Sequence, residues 1–241
     1  MSGSLEIVLA LFAVSIAGIF RGFSGFGTGM ILVPSLSLIY EPIIAVITVT
    51  LLELIPAFQL VKTSLPYCHW RTVLPMSIIS IFTVPVGALI LVSIDVQTMR
   101  IIISVIVMIC VLILFSGWRY KGEAGLKVSA ATGLFSGLIT GATSLGGLPV
   151  ILYYLSSGLS REVTRASMIV FLILTTVVSL LTYISHDIIT QDSVIRTVTV
   201  SPVFILALWL GGKLFGRVSE ALFRTVILCL LSGLSIMMLL S

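Results

Sequence analysis

The sequence contains two short stretches in which glycines stand next to hydroxyl residues, one from Arg21 to Gly29 and one from Thr140 to Gly147. Glycine lets a ligand approach the backbone closely, and a helix that begins after such a turn presents free N–H groups and the positive end of its dipole. This pattern favours binding of a small anion. The candidate binding residues are Arg21, Gly22, Ser24, Gly25, Phe26, Gly27, Thr28, Gly29, Gly141, Thr143, Ser144, Leu145, Gly146 and Gly147.

Arg21 is the one charged residue in these two stretches, and the corresponding position of the second is the neutral Thr140. A planar guanidinium suits oxyanions, which makes Arg21 a candidate counter-ion for a bound anion. The alternative is that its long side chain extends to the membrane interface, as Lys and Arg near the ends of spans commonly do.

Glu53 places a carboxylate near the middle of an apolar segment, residues 42–62. A carboxylate at this depth is costly and is therefore a functional candidate. It is suited to proton titration, to sodium binding or to an ion pair with Arg21 or Lys62. Because a carboxylate repels an anion, we assign Glu53 to ion coupling, together with Gln59 nearly two helical turns away.

The composition is that of a membrane protein. Of the 241 residues, 59% are hydrophobic and 9% are charged, whereas soluble domains carry about 25% charged residues. The net charge of +4 comes from basic residues in short loops between apolar segments, which is a topology signal rather than a sign of a nucleic-acid partner. We expect one membrane domain over residues 1–241 in a lipid bilayer.

Six apolar segments are long enough to cross a hydrocarbon core, which requires about 20 helical residues. They are residues 42–62, 73–93, 98–117, 162–183, 194–212 and 219–239. Two further stretches, 4–40 and 127–158, are too long for one span and are broken near their middle by the glycine-rich turns. The arms after the turns, 29–40 and 147–158, have about 12 residues and should fall short of a full span.

The two halves of the chain are copies of one unit. Shifting the sequence by 119 residues aligns three pairs of glycines, Gly18, Gly22 and Gly27 with Gly137, Gly141 and Gly146. The sequence therefore predicts an all-α polytopic membrane protein with two repeats, residues 4–117 and 127–239. Each repeat is a glycine-broken helical hairpin followed by three transmembrane helices.

The distribution of Lys and Arg decides whether the broken stretches are hairpins or single long helices, because cytoplasmic loops are enriched in these residues. If each broken stretch crossed the membrane once, six of twelve basic residues would lie on each side of the membrane. Hairpins leave only Arg100 and Arg196 outside, with Arg21 in the turn. The ten then on the cytoplasmic side are Lys62, Arg71, Arg119, Lys121, Lys127, Arg161, Arg165, Lys213, Arg217 and Arg224.

The hairpin topology has three consequences. Both termini are predicted to be extracytoplasmic, the two repeats are inverted relative to each other, and the turns enter from opposite faces toward the midplane. An alternative role for the glycines is close helix packing, which their four-residue spacing permits. The two roles are compatible because Gly18 and Gly137 precede the turns. Aromatic residues at span ends, including Tyr183, are expected in an interfacial belt.

The paired motifs, residues 22–34 and 137–149, resemble the duplicated signature of the sulfite exporter TauE/SafE family. Secondary matches are His69-Trp70-Arg71 and Thr164-Arg165-Ala166-Ser167. The resemblance implies a transporter in a bacterial or archaeal cytoplasmic membrane. Its expected substrate is a small sulfur-containing anion such as sulfite, sulfoacetate or another organosulfonate.

We therefore predict a secondary transporter, an exporter, that works by alternating access around a midplane site, with a proton or sodium as candidate coupling ion. The alternatives are an anion channel and an importer of a related anion. The sequence has no catalytic cluster of His, Cys or carboxylates and no Walker loop, so we expect no enzyme activity, cofactor or metal. It leaves the oligomeric state open.

Overall fold

A computed structural model of the chain describes residues 3–25, 27–116, 125–155, 157–214 and 229–238. These residues are helical almost throughout, and no strand occurs within these ranges, which confirms the predicted all-α fold. In chain order the helices are α1 (Gly3–Ser24), α2 (Thr28–Ile39), α3 (Pro42–Ser64), α4 (Trp70–Ser93), α5 (Val96–Ser116), α6 (Leu126–Thr143), α7 (Gly147–Leu155), α8 (Arg161–Ser185), α9 (Gln191–Leu214) and α10 (Cys229–Met238).

Six of the described helices are long and apolar enough to cross a membrane: α1, α3, α4, α5, α8 and α9. Five of them correspond to spans predicted from the sequence. The sixth predicted span, 219–239, lies mostly outside the described residues, which include only α10. Helix α1, which was not among the six predicted spans, is also long enough to cross a membrane, because its 22 residues form an unbroken helix up to the first turn. The first arm of that hairpin is therefore a full-length helix.

The helix breaks fall at matching positions in the two copies. Helix α1 ends at Ser24 and α2 begins at Thr28, and their counterparts end at Thr143 and begin at Gly147, again 119 residues later. Helices α3 and α8 also begin 119 residues apart, at Pro42 and Arg161. The helix boundaries therefore agree with the 119-residue shift, whereas the two repeats and their inverted relation stay predictions.

The second arm of each hairpin is short. Helix α2 has 12 residues and α7 has nine, which at about 1.5 Å per residue correspond to roughly 18 and 14 Å. A hydrocarbon core is about 30 Å thick. Neither arm can cross it, as the sequence indicated.

The chain divides into two compact units. Unit 1 consists of Met1–Val49, Ile94–Trp118 and Gln191–Ser241, and unit 2 of Thr50–Ser93 and Arg119–Thr190. In unit 1, α9 of the second copy packs against α1 of the first, and in unit 2, α4 of the first copy packs against α6 of the second. Because α4 is the counterpart of α9 and α1 that of α6, each hairpin packs on a helix from the other copy.

Glycines bring the α1 and α9 backbones together in unit 1. A Cβ atom added to Gly18 would lie 2.6 Å from the Ala207 Cβ, and one added to Gly22 would overlap the Leu208 carbonyl oxygen. From the other side, a Cβ on Gly211 would overlap the Ile19 carbonyl oxygen. These are the small-residue contacts that let membrane helices approach closely.

Unit 2 repeats this arrangement between α6 and α4. A Cβ on Gly137 would overlap the Thr83 hydroxyl, and one on Gly141 would overlap the Val84 carbonyl oxygen. From α4, a Cβ on Gly87 would overlap the Leu138 carbonyl oxygen. The packing role considered for these glycines is thus present in the structure, and substrate contact by Gly22 and Gly141 stays a prediction.

The adjacent pair Gly211 and Gly212 gives a matched test of this packing. We expect Gly211→Ala to destabilise the protein by about 1–3 kcal/mol, because overpacking forces the helices apart. Gly212 has nothing within 4 Å of an added Cβ, so Gly212→Ala should be neutral or stabilising by about 0.5–1 kcal/mol, the usual advantage of alanine in a helix. Thermal unfolding in detergent measures both, and equal shifts in Tm would contradict the packing role.

Candidate functional site

The first turn depends on two glycines in the left-handed region. Gly25 has a φ of 81° and Gly27 a φ of 90°, where residues with a side chain are disfavoured. The Gly25 N–H donates to the Arg21 carbonyl oxygen at 2.8 Å and closes α1. Phe26, predicted as a binding residue, lies outside the described residues.

The second turn begins in the same way with a different residue. Ser144, the counterpart of Gly25, has a φ of 54°, and its N–H donates to the Thr140 carbonyl oxygen at 2.8 Å. The left-handed conformation costs a non-glycine residue roughly 1–2 kcal/mol. A hydrogen bond at 2.6 Å between the Ser144 hydroxyl and the Thr50 hydroxyl of α3 compensates for part of that cost. The following N–H, from Leu145, donates to the Thr143 hydroxyl at 3.3 Å.

Two of the predicted hydroxyl residues donate within their own helix. The Ser24 hydroxyl donates to the Phe20 carbonyl oxygen at 2.7 Å, and the Thr143 hydroxyl donates to the Ile139 carbonyl oxygen at 2.8 Å. These bonds occupy equivalent positions in the two copies. With their protons directed to the backbone, both hydroxyls would act as acceptors toward a ligand rather than as donors.

Thr28 differs from these two. It is the first residue of α2 and is fully buried, and its hydroxyl has no hydrogen-bond partner among the described residues. The preceding Gly27 has no side chain to cap the helix. The first glycine turn therefore has a buried hydroxyl at the positive end of the α2 dipole.

Arg21 lies in the last turn of α1 rather than in the non-helical part of the turn, and only 2% of its surface is exposed. An arginine that extended to the interface would keep its guanidinium accessible. The burial of Arg21 therefore argues against that alternative. A buried guanidinium requires compensating hydrogen bonds and charge, and it adds a positive charge one helical turn before Gly25.

The remaining predicted residues of the second turn differ in their surroundings. Leu145 is buried. A Cβ on Gly146 would overlap the Thr140 hydroxyl, so Gly146 packs within the hairpin. The Ser136 hydroxyl donates to the Gly146 carbonyl oxygen. Gly147 has only Leu172 near an added Cβ, at 3.6 Å. It is half-buried, like Ser144. In the first turn Gly29 is buried within α2.

The sequence did not indicate Thr50 or Tyr183 as residues of the candidate site. The Tyr183 side chain is fully buried, and its hydroxyl donates to the Gly141 carbonyl oxygen at 2.8 Å. The expectation that Tyr183 belongs to an interfacial belt was wrong, because α8 packs this residue against α6. Tyrosines near span ends look alike in sequence, so only the helix packing shows the difference. The left-handed conformation of Ser144 did have a signal in the sequence, since the 119-residue shift aligns Ser144 with Gly25.

The predicted coupling residues both lie on α3. Glu53 is half-buried and Gln59 is exposed. Six residues at 3.6 per turn place them on different faces of the helix, so a shared cavity stays a prediction. Among the described residues, no three His, Cys, Asp or Glu side chains are grouped so that they could hold a metal ion.

The two secondary motifs meet in unit 2. The His69 N–H donates to the Ser167 hydroxyl at 2.9 Å, which joins the start of α4 to α8. Next to this bond, burial raises the pKa of the Cys68 thiol to about 11, and a hydrogen bond with Ser167 opposes the shift. The thiol therefore stays protonated at neutral pH and acts as a packing residue.

Comparison with known proteins gives one family. The family model described as sulfite exporter TauE/SafE matches residues 10–238, almost the whole chain and both glycine turns. No curated protein and no solved structure matches the chain.

Proposed function

The chain belongs to the sulfite exporter TauE/SafE family, and from this membership we propose that it is a secondary transporter that exports a small sulfur-containing anion by alternating access. Family membership together with six long apolar helices in the described part of the chain supports a multi-pass membrane transporter of sulfur anions. Sulfite, sulfoacetate and other organosulfonates are the proposed substrates. The proposed location is a bacterial or archaeal cytoplasmic membrane, with both termini outside.

The observation that carries the proposal is the first turn. The buried side chain of Thr28 at the start of α2 and that of Arg21 at the end of α1 flank the same break between the two helices. A sulfite or sulfonate group presents three oxygens that accept hydrogen bonds. Helix-terminal N–H groups, a hydroxyl and a guanidinium are donors suited to such a group.

In the second turn we propose substrate contact through Ser144 and Gly147, the half-buried members of that turn. Ser144 offers a hydroxyl, and Gly147 offers the first N–H of α7. This turn carries no arginine, since Thr140 replaces it. We therefore propose that the first turn offers a positive charge to an anion and that the second turn offers only hydrogen bonds. The short second arms support placing each turn at mid-depth in the bilayer.

The function is tested by counterflow in proteoliposomes. Vesicles loaded with unlabelled sulfite or sulfoacetate should accumulate the labelled anion transiently, and the rate should saturate with concentration. Sulfate and chloride serve as controls for selectivity. Conductance without saturable counterflow would instead support the anion channel, and the absence of any flux of sulfur anions would refute the proposal.

Glu53 is our proposed coupling residue, because it is a half-buried carboxylate within a membrane-spanning helix. We expect Glu53→Gln to abolish the dependence of transport on a proton or sodium gradient while exchange of the anion continues. Transport driven by imposed gradients measures this. The matched control is Glu162→Gln, an exposed carboxylate at the start of α8. If Glu53→Gln keeps the full gradient response, coupling lies elsewhere.

A further inference from the structure

Unit 1 contains a second candidate site, a cavity of about 190 Å³ at the opposite end of the α1–α2 hairpin from the turn. Its lining includes Ile7 and Leu36, the charged pair Asp192 and Arg196, and Thr48. Ile7 precedes the end of α1 by 17 residues and Leu36 follows the start of α2 by eight, which correspond to about 25 and 12 Å along the helix axes. The cavity is therefore separate from the first turn.

Two contacts orient the guanidinium of Arg196 at this cavity, where its side chain is 30% exposed. Its Nε donates to the Asp192 Oδ2 at 2.8 Å, and its Cζ lies 3.8 Å from the centroid of the Tyr40 ring. A guanidinium has five N–H donors in a rigid planar fork, and the bond to Asp192 uses the one on Nε. The terminal amino groups carry the other four, so Arg196 can still donate to a ligand.

Thr48 supplies an independent sign of a ligand. Its side chain is buried, with 2% of its surface exposed, and its hydroxyl has no hydrogen-bond partner among the described residues. Threonines within helices commonly donate to the carbonyl oxygen one turn earlier, as Thr132 does in α6. A buried hydroxyl left without a partner costs about 1–3 kcal/mol. A ligand oxygen in the cavity would remove that cost.

We propose that this cavity binds a small free oxyanion through the Arg196 guanidinium and the Thr48 hydroxyl, with Leu36 against any short apolar group. Drug-sized ligands occupy pockets of about 300–1,000 Å³, so a cavity of about 190 Å³ suits a ligand of few atoms. Because Asp192 neutralises Arg196, binding rests on hydrogen bonds and should be weaker than in the turn. That the anion is sulfite or a sulfonate rests on the proposed function, whereas the oxyanion site does not.

The position suggests a role in transport. The Lys and Arg distribution assigns Arg196 to the extracytoplasmic side. A weak anion site there would hold the exported anion as it leaves the protein or would receive it in the reverse direction. The first turn and this cavity would then be used in succession.

Titration calorimetry on the purified full-length chain tests this proposal, with sulfite, methanesulfonate and inorganic sulfate as probes. We expect two classes of binding site, the weaker of which loses at least tenfold in affinity in Arg196→Gln and in Thr48→Val. Thr48→Ser keeps a hydroxyl at this position, so the affinity of the weaker class should be unchanged in this variant. Arg100→Gln is the matched control, because Arg100 is the other arginine predicted outside and its Nε donates to the Ser37 carbonyl oxygen at 3.0 Å, outside this cavity.

The possible results are distinguishable. If the affinity of the weaker class is unchanged in Arg196→Gln and in Thr48→Val, the inference is overturned. The proposed function is not affected by that result. Sulfate binding that depends on Arg196, without binding of sulfite or methanesulfonate, supports the oxyanion site and refutes the proposed substrates. Displacement of the probes from Arg196 by phosphatidylglycerol would identify a lipid phosphate as the ligand and overturn the free-anion proposal.

Discussion

Replacing Arg21 with glutamine should weaken binding of the substrate anion by at least about 30-fold. Removing one partner of a buried, hydrogen-bonded charge pair costs about 2–5 kcal/mol, and every 1.4 kcal/mol corresponds to a factor of about ten. Arg21 is almost completely buried beside the first turn, where solvent screens charge poorly. The affinity for sulfite or sulfoacetate of purified Arg21→Gln, measured by calorimetry, gives the size of the effect.

Arg21→Lys separates charge from geometry. Lysine keeps the positive charge but lacks the planar fork that binds two oxygens at once, so its affinity should fall between those of Arg21→Gln and the original protein. The thermal stability of both variants has to be measured, because a buried arginine also contributes to packing. A folded Arg21→Gln protein with unchanged affinity would remove Arg21 from the substrate site and leave it a structural role.

The sequence was sufficient to predict where the helices break. Glycines supply the left-handed conformations of the first turn, and the 119-residue shift transfers its position to residues 144–146. The apolar segments likewise gave five of the membrane-spanning helices, because bilayer thickness imposes a minimum length. These features are local, since composition and backbone freedom determine them without reference to tertiary contacts.

The partners of the helices could not be predicted in this way. The four-residue spacing of Gly18 and Gly22 indicated that something packs closely on α1, but every transmembrane helix offers an apolar surface to a neighbour. That α9 fills this place, and α4 the equivalent place on α6, depends on the whole arrangement of the chain. The hydrogen bond between the Thr50 and Ser144 hydroxyls could not be predicted for the same reason, because the two residues are distant in sequence.

Tyr183→Phe should reduce transport by changing the second turn, although Tyr183 itself is not proposed to touch the substrate. Its hydroxyl donates to the carbonyl oxygen of Gly141, one of the last four of α6, which lack the usual helical partners. Removing the hydroxyl leaves a buried acceptor unsatisfied, at a cost of about 1–3 kcal/mol. The end of α6 can then shift, and with it Ser144, which is already held in a disfavoured conformation.

Tyr153→Phe is the matched control, because Tyr153 is also buried in unit 2 and its hydroxyl bonds the Ser129 hydroxyl at 2.8 Å. Ser129 lies in the first turn of α6, and Gly141 lies 12 residues further on, about 18 Å away along the helix. Both variants should lose a similar amount of thermal stability. Only Tyr183→Phe should raise the KM for the anion in counterflow, because only it acts on the turn. Equal transport in the two variants would mean that Tyr183 stabilises the fold without positioning the second turn for its substrate.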